Sequence, residues 1–491
     1  MANSKNSTSK ITKVQIRMYR VGTGDFFMLL FKKGDKVSFK MMIDCGCIYS
    51  SKDDFLLKLD DLDLLITNKV IDLLVVTHEH ADHINGFEKC SDLFDKYSFK
   101  KVWFAWTEDD KDPIANDYRA NYSKLGLGIN KATEELKGLN DYYKILYSNE
   151  VGGDFMLKGK QQFIQSLTSL DDLIPMKGLA INQPLPTMVE LLKNYKIIKD
   201  DTVVKYLEPG NVVDDLLGAE GIRFYILGPP RNRVFLNKTE AEEETFEKRE
   251  KKSTIDFSFL SAIGATDTYG SAATLPFESE FEAAPDNKGI QKVYKEGGEW
   301  RKIDYDWLYS AGALAMRYER SINNTSLALA IQFEDSERIL LFTGDAEIGN
   351  WESWYKDLEW PVKINGRIVQ KKADYFLNNT IFYKVGHHLS QNGTAKGKGI
   401  EMMNNTDLTS MASLDFKKIS TVWLKTMPND LLGAELIRKT KGKLLFAGNH
   451  EEILKNIKTD RVTISQEHLQ TLNDLNGKFK GEVYIDWVVE G

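Results

Sequence analysis

The sequence predicts an α/β protein. Three observations carry this: apolar runs of strand length alternate with leucines at helical spacing, the alternation occurs in the first hundred residues and again after about residue 320, and in each half an apolar run ends in a turn bearing Asp or His. Such turns, at the C-terminal ends of strands, are where α/β folds build their sites.

Taken in order, Val14 to Tyr19, Phe26 to Phe31 and Val37 to Ile43 read as consecutive strands, the last two joined across Gly34-Asp35. Between the first two lies a glycine-rich turn, Val21-Gly22-Thr23-Gly24-Asp25, and the third ends in Ile43-Asp44-Cys45-Gly46. Leu56 to Ile66 has helical spacing, and Ile71 to Val76 is a buried strand leading into Thr77-His78-Glu79-His80-Ala81-Asp82-His83. Ile84 to Phe87 opens a helix, and Lys101 to Trp106 is a further strand, so residues 1–107 form the first half.

Residues 108–200 change to helical periodicity, with Ala132 to Leu139, Gln161 to Leu170 and Met188 to Tyr195 as candidates, and read as a helical insertion. Residues 201–491 form the second half. Thr202 to Tyr206 and Ile222 to Leu227 are strands, the latter ending in Gly228-Pro229-Pro230. An irregular insertion follows at about 231–320, including the charged run Glu240 to Lys252. The pattern resumes with Asn323-Asn324-Thr325-Ser326, then strands Leu327 to Phe333 and Ile339 to Phe342, the latter leading into Thr343-Gly344-Asp345-Ala346-Glu347. A helix around Trp351 to Leu358 and a strand Ile381 to Val385 come next, the strand ending in Gly386-His387-His388-Leu389-Ser390. Thr421 to Lys425, the helix Asp430 to Thr440, Lys443 to Phe446 and Val483 to Val488 complete the half.

The 491 residues suffice for more than one core, and 42% hydrophobic with 28% charged residues describes an ordinary globular protein. With 65 basic and 72 acidic side chains the net charge is −7, so no overall field draws the chain to nucleic acid or an anionic membrane. Met1 to Lys10 is polar and the longest apolar stretches are strand-sized, from which a cytoplasmic protein without a membrane partner is expected. Cys45, Cys47 and Cys90 have no framework spacing and read as small buried residues in a reducing compartment.

The chain has seven histidines, and three stand between Thr77 and His83. A divalent cation such as Zn²⁺ or Mn²⁺ is held by imidazole nitrogens and carboxylate oxygens, and this one turn offers four such groups. His78 and His80 project to one side, while Asp82 and His83, entering the helix, serve a second position, so one or two metal ions are expected. Asp345 is placed to bridge them and His387 to close one, both from strand ends in the other half. The adjacent side chain of His388 diverges from His387 and is expected to meet substrate or a supporting partner. His450 and His468 have no such context and read as structural. A two-metal site acidifies a bridging water into a nucleophile and steadies the developing oxyanion.

The pattern His78-x-His80-x-Asp82-His83, with Asp44 before it and Gly344-Asp345 after it, resembles the metallo-β-lactamase-fold hydrolases. Val21-Gly22-x-Gly24-Asp25, Ile43-Asp44-x-Gly46, Gly228-Pro229-Pro230, Asn323-Asn324-x-Ser326, Thr343-Gly344-Asp345 and Lys384-Val385-Gly386-His387-His388 are similar to the subgroup typified by the C-terminal domain of ComEC-type competence DNA-uptake proteins. The resemblance covers about residues 11 to 107, 201 to 230 and 320 to 450. It implies an αββα four-layer sandwich and a metal-dependent phosphodiesterase or nuclease. Carried over by position, His78 and His80 hold one metal, Asp82, His83 and His387 the other, Asp345 bridges, and Asp44 orients the loop. Asp82 and His388 are the expected catalytic residues, and Asn323, Asn324, Ser326 and Ser390 the expected phosphate contacts. No histidine lies between His83 and His387, so the third imidazole of many members is missing, and Leu389 replaces the glycine after the paired histidines. The expected substrate is a nucleic-acid or nucleotide phosphodiester, with local basic groups at Lys396, Lys398, Arg438, Lys439, Lys441 and Lys443. Two alternatives stand beside it: an ester, thioester or lactam hydrolase of the same fold, and a regulatory binding protein with a structural or degraded metal site.

Overall fold

Two seven-stranded sheets organise the protein. The computed structural model describes residues 10–47, 49–120, 186–238, 241, 243–246, 288–289, 292, 322–356, 358–364, 366–419, 427–457 and 462–491. By internal contacts the chain divides into two units. The first comprises Met1–Asn116, Pro186–Arg249 and Arg320–Gly491, and the second Asp117–Leu185 and Glu250–Glu319. Both sheets belong to the first unit.

From edge to edge, the first sheet runs Tyr484–Glu490, Lys13–Tyr19, Phe27–Lys33, Lys36–Ile43, Leu73–Val75, Lys101–Ala105 and Val203–Leu207. Its first four strands are antiparallel neighbours and its last four parallel ones. The second sheet repeats that division: Leu444–Phe446, Thr409–Ala412, Thr380–Lys384 and Ile339–Phe342 are parallel, and Ala328–Phe333, Ile222–Gly228 and Val212–Val213 continue antiparallel. Parallel strands need crossovers, and the helix Lys52–Leu65 supplies one. It starts where Ser51 and Asp54 cap each other reciprocally, Ser51 Oγ accepting from the Asp54 amide and Asp54 from the Ser51 amide.

One apolar core contains residues of both sheets, among them Ile16, Leu29, Val75, Ile331 and Phe382. Phe27 meets Phe342 edge-on at 5.8 Å, and Phe224 meets Trp103 at 5.4 Å and Phe31 at 6.2 Å. Each fully buried side chain of this size contributes about 1.5–3 kcal/mol by leaving water. A second core behind the second sheet gathers Trp351, Trp354, Trp360 and Phe376, with helix Asp430–Lys439 adding Leu432, Leu436 and Ile437.

The fold is mixed α/β, as the alternation of strand and helix signals predicts. Several elements have no counterpart in the sequence reading, the strand Val212–Val213 and the helix Ala373–Asn378 among them. Thr409–Ala412 carries only four residues with no apolar run, although all four are buried between parallel neighbours. The hairpin Trp360–Ile364 and Arg367–Lys371, and the helix Gln466–Gly477, also went unread. The helix expected at Trp351 to Leu358 lies earlier, at Ile348–Ser353. The expected elements Ala132 to Leu139, Gln161 to Leu170 and Thr421 to Lys425 lie outside the described residues, as does most of 231–320. Among the described residues no helix is long and apolar enough to cross a membrane.

Candidate metal centre

The parallel strands of both sheets deliver their C-terminal ends to one place. Ile43 hands on to Asp44, Val75 to Thr77 and the histidine turn, Phe342 to Asp345, Lys384 to Gly386–Leu389, and Ala412 to Ser413. Every residue from Thr77 to His83 is buried, so this is no surface turn. Two glycines make the convergence possible. A Cβ on Gly24, whose φ is +149°, would stand 2.7 Å from the Asp82 carbonyl oxygen, and one on Gly46 would collide with the backbone of Asp82 and His83. That closeness lets Asp25 N donate to Asp82 O (3.0 Å) and Cys45 N to His83 O (2.7 Å), fixing the start of helix Ala81–Lys89.

Four buried side chains, Asp82, His83, Asp345 and His388, offer donor atoms within 4.8 Å of one another and could hold a metal ion. His388 Nε2 lies 3.1 Å from Asp82 Oδ2 and 3.2 Å from Asp345 Oδ2. His83 Nε2 lies 3.2 Å from Asp345 Oδ2 and 3.9 Å from Asp82 Oδ2. Ligands about 2.0–2.2 Å from a tetrahedral ion are about 3.3–3.6 Å apart, so these separations bracket that requirement. Asp82 Oδ1 and His83 Nε2 are buried and make no hydrogen bond among the described residues, which suits atoms awaiting a cation.

The surrounding groups set both imidazoles for that task. His83 Nδ1 donates to Asp44 Oδ2 at 2.7 Å, and His388 Nδ1 to the Ser413 carbonyl at 2.9 Å, which leaves each Nε2 facing the pocket. Asp44 also accepts from Thr77 N (2.8 Å) and Thr77 Oγ1 (2.6 Å), tying the histidine turn to the neighbouring strand. Burial pushes the Asp44 carboxyl upward against the pull of His83. At His83 and His388 burial favours the neutral ring, but the surrounding carboxylates, Asp345 foremost, outweigh it and raise both, His388 to about 9. Asp82 and Asp345 are held below the ordinary carboxylate range despite burial, chiefly by His83 for Asp82 and by His388 for Asp345. Burial, then His83 and His80, drive His78 down.

No family model and no curated protein matches this chain. The site therefore stands on its own geometry.

That geometry differs from the expectation at one position. His388, not His387, enters the donor cluster. His387, His388 and Leu389 have φ of 44°, 47° and 68°, a left-handed run that carries His388 inward under Ser413. His387 instead has Nδ1 3.7 Å from Glu347 Oε1 and Nε2 3.4 Å from Asn323 Nδ2. His78 Nε2 and His80 Nδ1 stand 3.1 Å apart, but the pair belongs to neither donor group found among the described residues. Asp345 presents Oδ2 to the two imidazoles while Oδ1 lies 3.3 Å from Lys384 Nζ.

Of the expected phosphate contacts, Asn324 and Ser326 have other partners. Asn324 donates to Lys238 O and accepts from Glu347 N, and Ser326 Oγ accepts from Asp345 N at 3.1 Å. Both side chains hold turns in place. Asn323 Nδ2 donates to Glu347 Oε1 at 3.1 Å, and Ser390 Oγ to Asn392 Oδ1 at 3.0 Å.

Sequence reasoning missed Asp25, Lys384 and Ser413. Asp25 lies in a second donor group with Asp44 and His83, accepts from Ser413 Oγ, and pairs with Lys384 at 2.5 Å. Its signal was present in Val21-Gly22-x-Gly24-Asp25, where a carboxylate follows a turn that only glycine can make.

Proposed function

We propose that the chain is a metal-dependent hydrolase of the metallo-β-lactamase kind, with an αββα arrangement of its sheets and helices, acting on a phosphodiester of a nucleic acid or nucleotide. The observation that carries it is the Asp82/His83/Asp345/His388 cluster, already spaced for one cation and built from strand ends of both sheets. A divalent ion there supplies an electrophile for a phosphoryl oxygen and an acidified water. The chain's own residues hold that chemistry in place. Asp44 and the Ser413 carbonyl fix the two ring orientations, the β-strand ends limit movement of the carboxylates, and the buried position excludes bulk water.

Polar side chains beside the centre favour a phosphodiester over an acyl substrate. Asn323 and Ser390 are buried beside the His387-His388 turn, with Asn323 Nδ2 3.4 Å from His387 Nε2, where an acyl group would call for apolar walls. The expected basic groups contribute less. Arg438 pairs with Glu435, Lys439 donates to Glu401 O and Asn404, and Lys443 to Thr406 O, so these cations serve their own surface.

The test is a substrate panel on metal-free chain reloaded with Mn²⁺ or Zn²⁺: bis-p-nitrophenyl phosphate and oligonucleotides against thioester and lactam substrates. The account expects phosphodiester cleavage, lost in Asp82→Ala and Asp345→Ala with circular dichroism unchanged. Turnover of only the acyl substrates would overturn the substrate class, and unchanged turnover in both variants would overturn the site.

A further inference from the structure

Lys384 is a buried ammonium in the wall of a cation site. Its Nζ lies 2.5 Å from Asp25 Oδ2, 3.3 Å from Asp345 Oδ1 and 3.1 Å from Gly344 O, and only 1% of the side chain is exposed. Asp25 is the hub of a closed ring. One of its oxygens holds Lys384 against Asp345, and the other accepts from Ser413 Oγ (2.5 Å), which lies 3.0 Å from His388 Nδ1. Burying a charged lysine is costly unless it is paired, and this one is paired on two sides.

The pairing divides the oxygens of Asp345. Oδ2 faces His83 and His388, whereas Oδ1 faces the ammonium. A second cation placed on Oδ1 at about 2.1 Å would stand within about 5 Å of that ammonium, in a site shielded from water. Charge counting leads to the same result. Asp25, Asp44, Asp82 and Asp345 against Lys384 leave three buried negative charges with neutral imidazoles. One divalent ion leaves a single negative charge, whereas a second would bring the total, with the lysine included, to one excess positive charge.

We propose that Lys384, held by Asp25, is a positioning residue that limits the centre to one divalent ion by withdrawing Asp345 Oδ1 from bridging. The ammonium does what a second metal would otherwise do, and it orients Oδ2 toward the single ion. A second ion on the His78/His80 side would need Asp345 as a shared ligand, and Lys384 denies it that ligand. The inference rests on the metal-centre reading above.

The experiment measures stoichiometry rather than turnover. The full chain, stripped by chelation, is incubated with excess Mn²⁺ and separately with excess Zn²⁺, freed of unbound ion, and assayed for bound metal by mass spectrometry. One equivalent of either ion is expected for the native chain and for Lys384→Arg, and two for Lys384→Met. If Lys384→Met fails to fold, Lys384→Gln, which removes the ammonium but keeps a donor toward Asp25, carries the same expectation of two. Two tightly held equivalents in the native chain would overturn this inference while leaving a metal-dependent hydrolase intact. So would one equivalent in a folded variant lacking the ammonium. No bound metal in the native chain would overturn the metal centre itself and this inference with it.

Discussion

Metal binding should expel about two protons per ion. In the metal-free chain His388 is raised to about 9 and His83 is raised also, in both cases because neighbouring carboxylates outweigh burial. Their Nδ1 protons are committed to Asp44 and Ser413 O, so the protons an ion must displace are those on the two Nε2 atoms facing the pocket. Near neutral pH both rings carry that proton, and each proton displaced makes affinity fall about tenfold per pH unit of acidification, or about a hundredfold for the pair. A raised folded value stabilises the metal-free fold below the ordinary histidine range, and that contribution is lost as pH rises through about 9, where the ion binds best. Calorimetric titration of Mn²⁺ in buffers of different ionisation enthalpy counts the protons directly. Release of close to two, falling to one in His388→Gln, is expected; release of none, or no change in that variant, would refute the argument.

Other variants separate neighbouring roles. His388→Ala should weaken Mn²⁺ binding by at least about a hundredfold and His387→Ala by far less, because only His388 lies in the donor cluster; equal losses would restore His387 as a ligand. Asp44→Asn should lower affinity about 10–100-fold with the far-ultraviolet spectrum preserved, since it loosens His83 and the Thr77 turn without removing a ligand. Gly46→Ala should destabilise the fold by about 1–3 kcal/mol, seen as a lower denaturant midpoint, because its methyl group meets the backbone of Asp82 and His83; a midpoint like that of the native chain would show that the loops can part.

What the sequence revealed of the site depended on how local each signal was. Asp82 and His83 stood out because the turn supplies its donors within a few residues, straight after a strand whose three residues Leu73–Val75 are all buried. Asp345 was legible for a similar reason, as a carboxylate at the end of the apolar run Ile339–Phe342. The choice between His387 and His388 was not local. It depends on three consecutive left-handed residues and on Ser413, twenty-five positions away. Lys384 looks like the ordinary end of a strand, because its burial depends on distant partners, Asp345 and, from the opposite half of the chain, Asp25. Much the same holds for Thr409–Ala412, whose strand character comes from parallel neighbours on both sides rather than from its own composition.

Anomalous diffraction at the manganese edge from Mn²⁺-loaded crystals of the full chain tests the central claim most directly. The account predicts a single peak within ligand distance of Asp82, His83, Asp345 and His388, with Lys384 still against Asp345. A peak bound elsewhere in the molecule, or no peak from a chain that hydrolyses phosphodiesters in the same drop, would contradict it.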